Sequence, residues 1–173
     1  GGHLTSLNST LAGNKGSEWP GGGGVFNAGT MAFTNTLMAD SPSPIDCYSS
    51  GTISANSHNL IESYVDGGCD TGGTGNILGT DPVLGPLADH GGGTLTFALL
   101  PNSPAIDAGE VAACPTTDQR GLARDDLGCD MGTFELRYAD SDTVWRSVGG
   151  TAVTTFGPTL AGIRNDGGVD DPG

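Results

Sequence analysis

Apolar residues occur in short runs separated by clusters of glycine along most of the chain. The clearest clusters are at residues 21–24, 67–68, 72–73 and 91–93. No stretch keeps apolar residues at the i, i+3, i+4 spacing of a helix over a dozen positions. Glycine clusters between short apolar runs are typical of turns between strands. The pattern therefore predicts a turn-rich, all-β fold with almost no helix.

One segment recurs along the chain. Residues 2–12 are matched by residues 29–39 at an offset of 27, and a weaker third copy opens at Gly51, a further 22 residues on. Repeats of this length are typical of the coils of a β-solenoid. Alternation predicts that Leu4, Met31, Phe33 and Ile53 point into its core. Asn8 and Asn35 fall at equivalent corners, where asparagine tolerates left-handed backbone angles and its amide can bond the next coil.

The pattern changes twice after the repeats. Residues 1–80 are assigned to coils and loops, and residues 81–136 to a C-terminal capping region that contains a buried strand at 94–100. Such a segment could cover the apolar end of a solenoid. Residues 137–173 are predicted to be an extended tail or linker. Within the tail lies one candidate docking strand: Thr151, Ala152, Val153, Thr154, Thr155 and Phe156.

The chain is strongly acidic. Its 20 acidic and 6 basic residues give a formal net charge of -14. A surface of this sign repels nucleic acid, anionic membranes and anionic polysaccharides. There is no apolar run of about 18 residues that could span a membrane as a helix. Because the chain opens in what looks like mid-repeat, we expect a piece of a longer secreted precursor.

The cysteines form two local pairs. Cys47 precedes Cys69, and Cys114 precedes Cys129, with no CxxC motif and no histidine at zinc-finger spacing. An even number of cysteines in such a glycine-rich chain favours disulfides and an oxidising compartment. Of the three connectivities, the sequential one closes two compact loops, each worth about 3 kcal/mol in the chain-entropy model. Free structural thiols are the alternative.

Several phrases resemble a known family. They stand in this order: Asn59-Leu60, GTDPVLGPLAD at 79–89, LLPNSPAIDAG at 99–109, TDQRG at 117–121 and CDMGTFE at 129–135. Together they resemble the C-terminal region of bacterial secreted right-handed parallel β-helix proteins. These include choice-of-anchor Q domain proteins and polymorphic outer-membrane-protein-like surface proteins. The resemblance implies a right-handed parallel β-helix end with a disulfide-stapled cap, at the bacterial cell surface. It implies no catalytic residues.

One polar set stands out in the second half of the chain: Asp107, Asp118, Arg120, Asp130 and Glu135. Arg120 could make a bidentate bond to a carboxylate and fix the cap to the last coil. We interpret the set as a structural ion-pair network. The alternative, a glycosidase carboxylate pair, is a weak signal because a chain with 20 acidic residues will place some pair at a suitable distance.

No cofactor is predicted, although acidic loops could supply oxygen ligands to calcium. They lie at 66–70, 140–142 and 166–171, and none matches an established calcium loop. His3, His58 and His90 are isolated and are interpreted as turn or surface residues. The motifs of serine hydrolases, phosphate loops and zinc proteases are missing.

Two hypotheses follow. In the first, the chain is a secreted or cell-surface structural or adhesive protein and not an enzyme. It would form homo-oligomers or filaments when the tail strand adds to the sheet edge of a neighbour. In the second, it is a carbohydrate-binding or carbohydrate-active β-helix protein, a lyase or a hydrolase. With one lysine and five arginines it is poorly equipped for acidic glycans, which leaves neutral glycans.

Overall fold

The computed structural model describes residues 2–16, 21–124 and 128–137. Eleven short strands make up the described fold. They are β1 (His3–Leu7), β2 (Thr10–Ala12), β3 (Val25–Asn27), β4 (Thr30–Thr34), β5 (Leu37–Ala39), β6 (Cys47–Ser49), β7 (Thr52–Ser57), β8 (Leu60–Ile61), β9 (Ile77–Leu78), β10 (Leu84–Ala88) and β11 (Thr96–Leu99). The helical element of these residues is a 3-10 turn, Val111–Ala113. Within this part of the chain, no helix has the length and apolar character needed to cross a membrane.

Three of the four sheets are parallel. The first sheet has the order β1-β4-β7, the second β2-β5-β8-β9 and the third β3-β6. Strands β10 and β11 form a separate antiparallel pair. The repeat sets the register, because His3 pairs with Thr30 and Thr10 pairs with Leu37 at the predicted offset of 27. Each repeat therefore returns the chain to the same sheets, one strand further across.

The predicted all-β class with almost no helix is confirmed, but the predicted right-handed parallel β-helix with its capped end is wrong. The described residues form several short parallel sheets and no closed solenoid. The spacing between neighbouring turns falls from 27 to 23 and then 17 residues. The second sheet is consequently four strands wide where the third has only two. Only the first two turns supply a strand to all three sheets, so the described residues do not form a series of complete coils.

The turn between the first and second sheets repeats one backbone geometry. Asn8, Asn35, His58 and Gly75 occupy this corner in successive turns, with φ of 39°, 52°, 49° and 66°. As predicted, asparagine occupies left-handed positions there, and Asn35 Nδ2 donates to Asn8 Oδ1 over 3.1 Å. This bond satisfies buried amides along the stack and fixes the angle between the two sheets.

The inner core lies between the three parallel sheets. It contains Val25, Met31, Phe33, Met38, Cys47, Ile61 and Cys69. The Cys47–Cys69 disulfide, with a Cα–Cα distance of 6.0 Å, joins β6 to the segment between β8 and β9. Because Met31 and Phe33 alternate with outward-facing residues of β4, the predicted inward positions are confirmed here.

The outer core lies on the opposite face of the second sheet. Its members are Leu37, Ala39, Leu60, Ala98, Leu99, Ala105, Met131 and Phe134. Consecutive residues of β5 point to opposite faces of the second sheet, since Leu37 lies in the outer core and Met38 lies in the inner core. The C-terminal segment thus packs beside the second sheet and does not cap the end of the stack. The predicted domain boundaries at 80 and 136 stay predictions.

Candidate functional site

The predicted polar set comes together as a buried ion-pair network. Arg120 donates to Asp118 Oδ2 through Nε at 2.8 Å and lies 2.7 Å from it through Nη2. Arg120 Nη2 also donates to the carbonyl oxygen of Glu135 at 2.7 Å. The guanidinium lies 3.8 Å above the centre of the Phe134 ring, a cation–π contact inside the outer core. The predicted Arg120–carboxylate pair is therefore present, although both bonds reach the same oxygen.

Arg124 completes this network and was missed from the sequence. Its Nη1 donates to Glu135 Oε2 at 2.5 Å and to the carbonyl of Asp130 at 3.2 Å, and its Nη2 donates to the carbonyl of Gly132 at 2.8 Å. The signal available was its place four residues after Arg120 in a chain with six basic residues. That spacing shows proximity along the chain, but it does not show which carboxylate the side chain reaches.

Asp130 is the most perturbed carboxyl group of the network. Burial, followed by the charge of Glu135, raises the pKa of Asp130 to about 7. Hydrogen bonds from the backbone N–H groups of Leu136, at 2.6 Å, and Asp107, at 2.8 Å, oppose that rise. The remaining predicted member, Asp107, thus meets Asp130 through its backbone.

The C-terminal segment that carries the network is bound to the first and second turns of the stack. From the sequence we had expected it to be bound to the last coil. Asn8 Nδ2 donates to the carbonyl of Asp130 at 3.2 Å, and Gly132 N donates to the carbonyl of Asn35 at 2.8 Å. The Cys114–Cys129 disulfide lies against the same two asparagines. Both disulfides therefore have the predicted pairing.

This geometry suits a structural role better than glycoside hydrolysis. Asp118, Asp130 and Glu135 are all buried, and their oxygens are occupied by backbone N–H groups and arginines. A glycosidase acid must instead reach a sugar bound in a cleft.

Of the three acidic loops considered as calcium ligands, only the one at 66–70 lies within the described residues. Asp70 Oδ2 in the 66–70 loop accepts from Gly67 N at 3.3 Å. The described residues contain no group of three or more His, Cys, Asp or Glu side chains that could hold a metal ion. The 140–142 and 166–171 loops lie outside the described residues, as does the predicted docking strand at 151–156.

The histidines have different surroundings. His58 Nδ1 lies 3.7 Å from Glu110 Oε2 at the corner of the third turn. His90 packs edge-on against Phe134, and its Nδ1 lies 3.1 Å from Thr96 Oγ1. His3 is exposed on β1. These positions agree with the interpretation of turn and surface residues, except that His90 borders the outer core.

The candidate functional site is the edge of the first sheet at β1. Leu4 pairs with Met31, which in turn pairs with Ile53, so these three side chains form one column of the inner core. Met31 is fully buried, yet Leu4 is 51% exposed because β1 is the edge strand. An open groove of about 240 Å³ lies beside it, lined by Gly2, His3, Leu4 and residues 25–30. The inner core thus presents an apolar side chain and a strand edge to solvent.

Within residues 2–16, 21–124 and 128–137, nothing gives this edge the usual protection against pairing. Proteins blunt exposed strand edges with charges, prolines or bulges. None of β1, β4 and β7 contains Asp, Glu, Lys, Arg or Pro, although the chain has 20 acidic residues. The opposite edge of the sheet is interrupted, because the β4–β7 register shifts between Met31 and Ala32. The first sheet therefore has one regular, uncharged edge.

An aromatic pair lies near the same edge. Phe26 on β3 stacks on Tyr48 of β6, with ring centroids 5.5 Å apart and planes 16° from parallel. Phe26 is 56% exposed. Since each ring covers a face of the other, the pair offers a sugar less flat aromatic surface than two separate rings would.

No family model, curated protein or solved structure matches the chain. The resemblance to secreted surface proteins stays a prediction.

Proposed function

We propose that the chain is a structural subunit of an extracellular assembly, and that β1 receives a β-strand from a neighbouring copy. The observation that carries the proposal is the exposed Leu4 at the uncharged edge of the first sheet. An added strand would cover this side chain and pair the free backbone groups of β1. The two disulfides support an oxidising, extracellular setting.

The donor in this proposal is the segment Thr151 to Phe156. Its residues are β-branched or aromatic apart from Ala152, and none is charged. An acidic donor would add repulsion between copies whose net charge is -14, whereas this uncharged segment adds none. Donation from each copy to the next is a heterologous contact, which produces open filaments.

A single substitution tests the edge. Leu4→Lys in the full chain places a charge on the pairing strand and should abolish assembly, measured by sedimentation velocity and negative-stain electron microscopy. Leu95→Lys is the matched control, because Leu95 is 53% exposed and precedes β11, which is not part of the first sheet. Assembly that survives Leu4→Lys, or that both substitutions abolish equally, would overturn the proposal. So would an unmodified chain that stays monomeric at all accessible concentrations.

A further inference from the structure

The tail repeats the sequence of the first strand–corner–strand unit. Residues 150–164 read GTAVTTFGPTLAGIR, and residues 1–15 read GGHLTSLNSTLAGNK. At an offset of 149, the TLAG of residues 10–13 recurs unchanged at residues 159–162. Around it, Thr5 recurs as Thr154, and Leu4 is matched by Val153. The likeness therefore extends over β1, the corner and β2, well beyond the strand at 151–156.

The corner of the unit also fits the structure. Gly157 aligns with Asn8, the position that has positive φ in four successive turns. Glycine takes positive φ at little cost. Pro158 aligns with Ser9, and Thr36 and Asn59 occupy the position equivalent to Ser9 in the next two turns. There the N–H groups of Thr36 and Asn59 bond side-chain oxygens, so a proline removes no backbone–backbone bond at this position.

The same alignment matches the columns of the inner core. Val153 would lie over Leu4, and Leu160 would lie over Leu11, whose column continues through Met38 and Ile61. Leu11 is only partly buried at the edge of the second sheet. A shift by one residue would put Thr154 over Leu4 and turn the apolar side chains away from the core. An offset of 152 would place Phe156 over Leu4 and Ile163 over Leu11, but it would put Leu160 at the positive-φ corner that Gly157 occupies at an offset of 149.

We propose that residues 150–164 of a second copy dock on this edge in that register, adding one strand beside β1 and another beside β2. The inference rests on the proposed function and names its donor in full. Within one copy, Thr133 N donates to Thr10 Oγ1 on β2 over 3.0 Å, so the segment that precedes the tail already lies at this edge. We assign the donor to a second copy because donation between copies is what builds the proposed filament.

Cysteine pairs test the register in full-length protein. Thr5 pairs with Ala32, whose neighbours Met31 and Phe33 are buried, so Thr5 lies on the outer side of the first sheet. Mixing Thr5→Cys with Thr154→Cys should give disulfide-linked dimers under mild oxidation. Mixing Thr5→Cys with Thr155→Cys is the control, because residue 155 would face the other side of the sheet. We expect several-fold less dimer in the control.

The outcomes separate the two proposals. Equal yields of dimer in both mixtures would overturn the register. A Thr5→Cys/Thr154→Cys double variant that closes within one chain at every concentration would overturn the assignment to a second copy. If Leu4→Lys blocks assembly but neither mixture forms dimers, this inference fails while the proposed function stands. If the unmodified chain does not assemble, the proposed function fails.

Discussion

The inner core and the outer core lie on opposite faces of the second sheet and are built by different means. In the inner core, stacked turns place equivalent residues beside one another, as Leu4, Met31 and Ile53 show. In the outer core, Leu37 and Leu60 of the second sheet pack against residues 98–134, a part of the chain that has no repeat. The same part of the chain contributes the buried ion-pair network. Repetition therefore supplies one core, and contacts distant in sequence supply the other.

The largest expected loss of stability comes from removing one buried aromatic ring from each core. Phe134→Ala and Phe33→Ala each remove a fully buried ring, from the outer and inner core respectively. Each should lower the free energy of unfolding by about 3–5 kcal/mol. Urea denaturation followed by circular dichroism measures the loss. Phe26→Ala is the control, and because Phe26 is more than half exposed it should cost about 1 kcal/mol or less.

The form of the transition decides whether the cores act as one unit. If both substitutions shift one cooperative transition, the second sheet couples the two cores. A second transition in Phe134→Ala alone would show instead that the outer core unfolds by itself.

The next effect concerns the ion-pair network. Asp118→Ala removes the carboxylate that the buried Arg120 contacts through Nε and Nη2, and it should cost about 3–5 kcal/mol. The double variant Asp118→Ala/Arg120→Met removes both charges and should recover a large part of that loss. Chemical denaturation of both variants checks this. If the double variant is less stable than Asp118→Ala, the contacts of Arg120 with Phe134 and Glu135 outweigh its ion pair.

The smallest of these effects is a dependence of stability on pH. The pKa of Asp130 is raised to about 7 in the folded protein, well above the value of an unfolded aspartate. The folded state therefore binds the proton more tightly, and its stabilisation is complete below about pH 4 and lost as pH rises towards 7. The loss should be on the order of 3 kcal/mol. Denaturation of the unmodified protein and of Asp130→Asn at pH 4.5 and pH 7.5 measures this loss. If the free energy of unfolding changes equally with pH in both proteins, the raised pKa of Asp130 is contradicted.

Much of the inner core could be predicted from the sequence, because its contacts follow from a repeat. The offset between Leu4 and Met31 places both in one column, and the corner asparagines follow the same spacing. The solenoid was predicted wrongly because the repeat establishes neighbouring strands but does not ensure that later turns supply a strand to every sheet. After Leu60 the chain returns to the second sheet in only 17 residues.

The polar network was only partly predictable. A cluster of charged residues near Arg120 could be recognised, but the role of Arg124 depends on the position of Glu135 after the chain folds back. The β1 edge was harder to find, because its signal is the lack of charge over five residues. That lack has meaning only once β1 is known to end the sheet.

Because the second sheet is buried on both faces, its amide hydrogens should stay protected from exchange with solvent for longer than those of the other sheets. Leu37, Met38 and Ala39 of β5 are fully buried, with strands on either side. Their N–H groups cannot exchange with solvent through fraying, since either side opens only by dismantling a core. Among the strands, the slowest hydrogen exchange should thus be found in the middle of the second sheet. The fastest should be found in β1, the exposed edge strand of the first sheet.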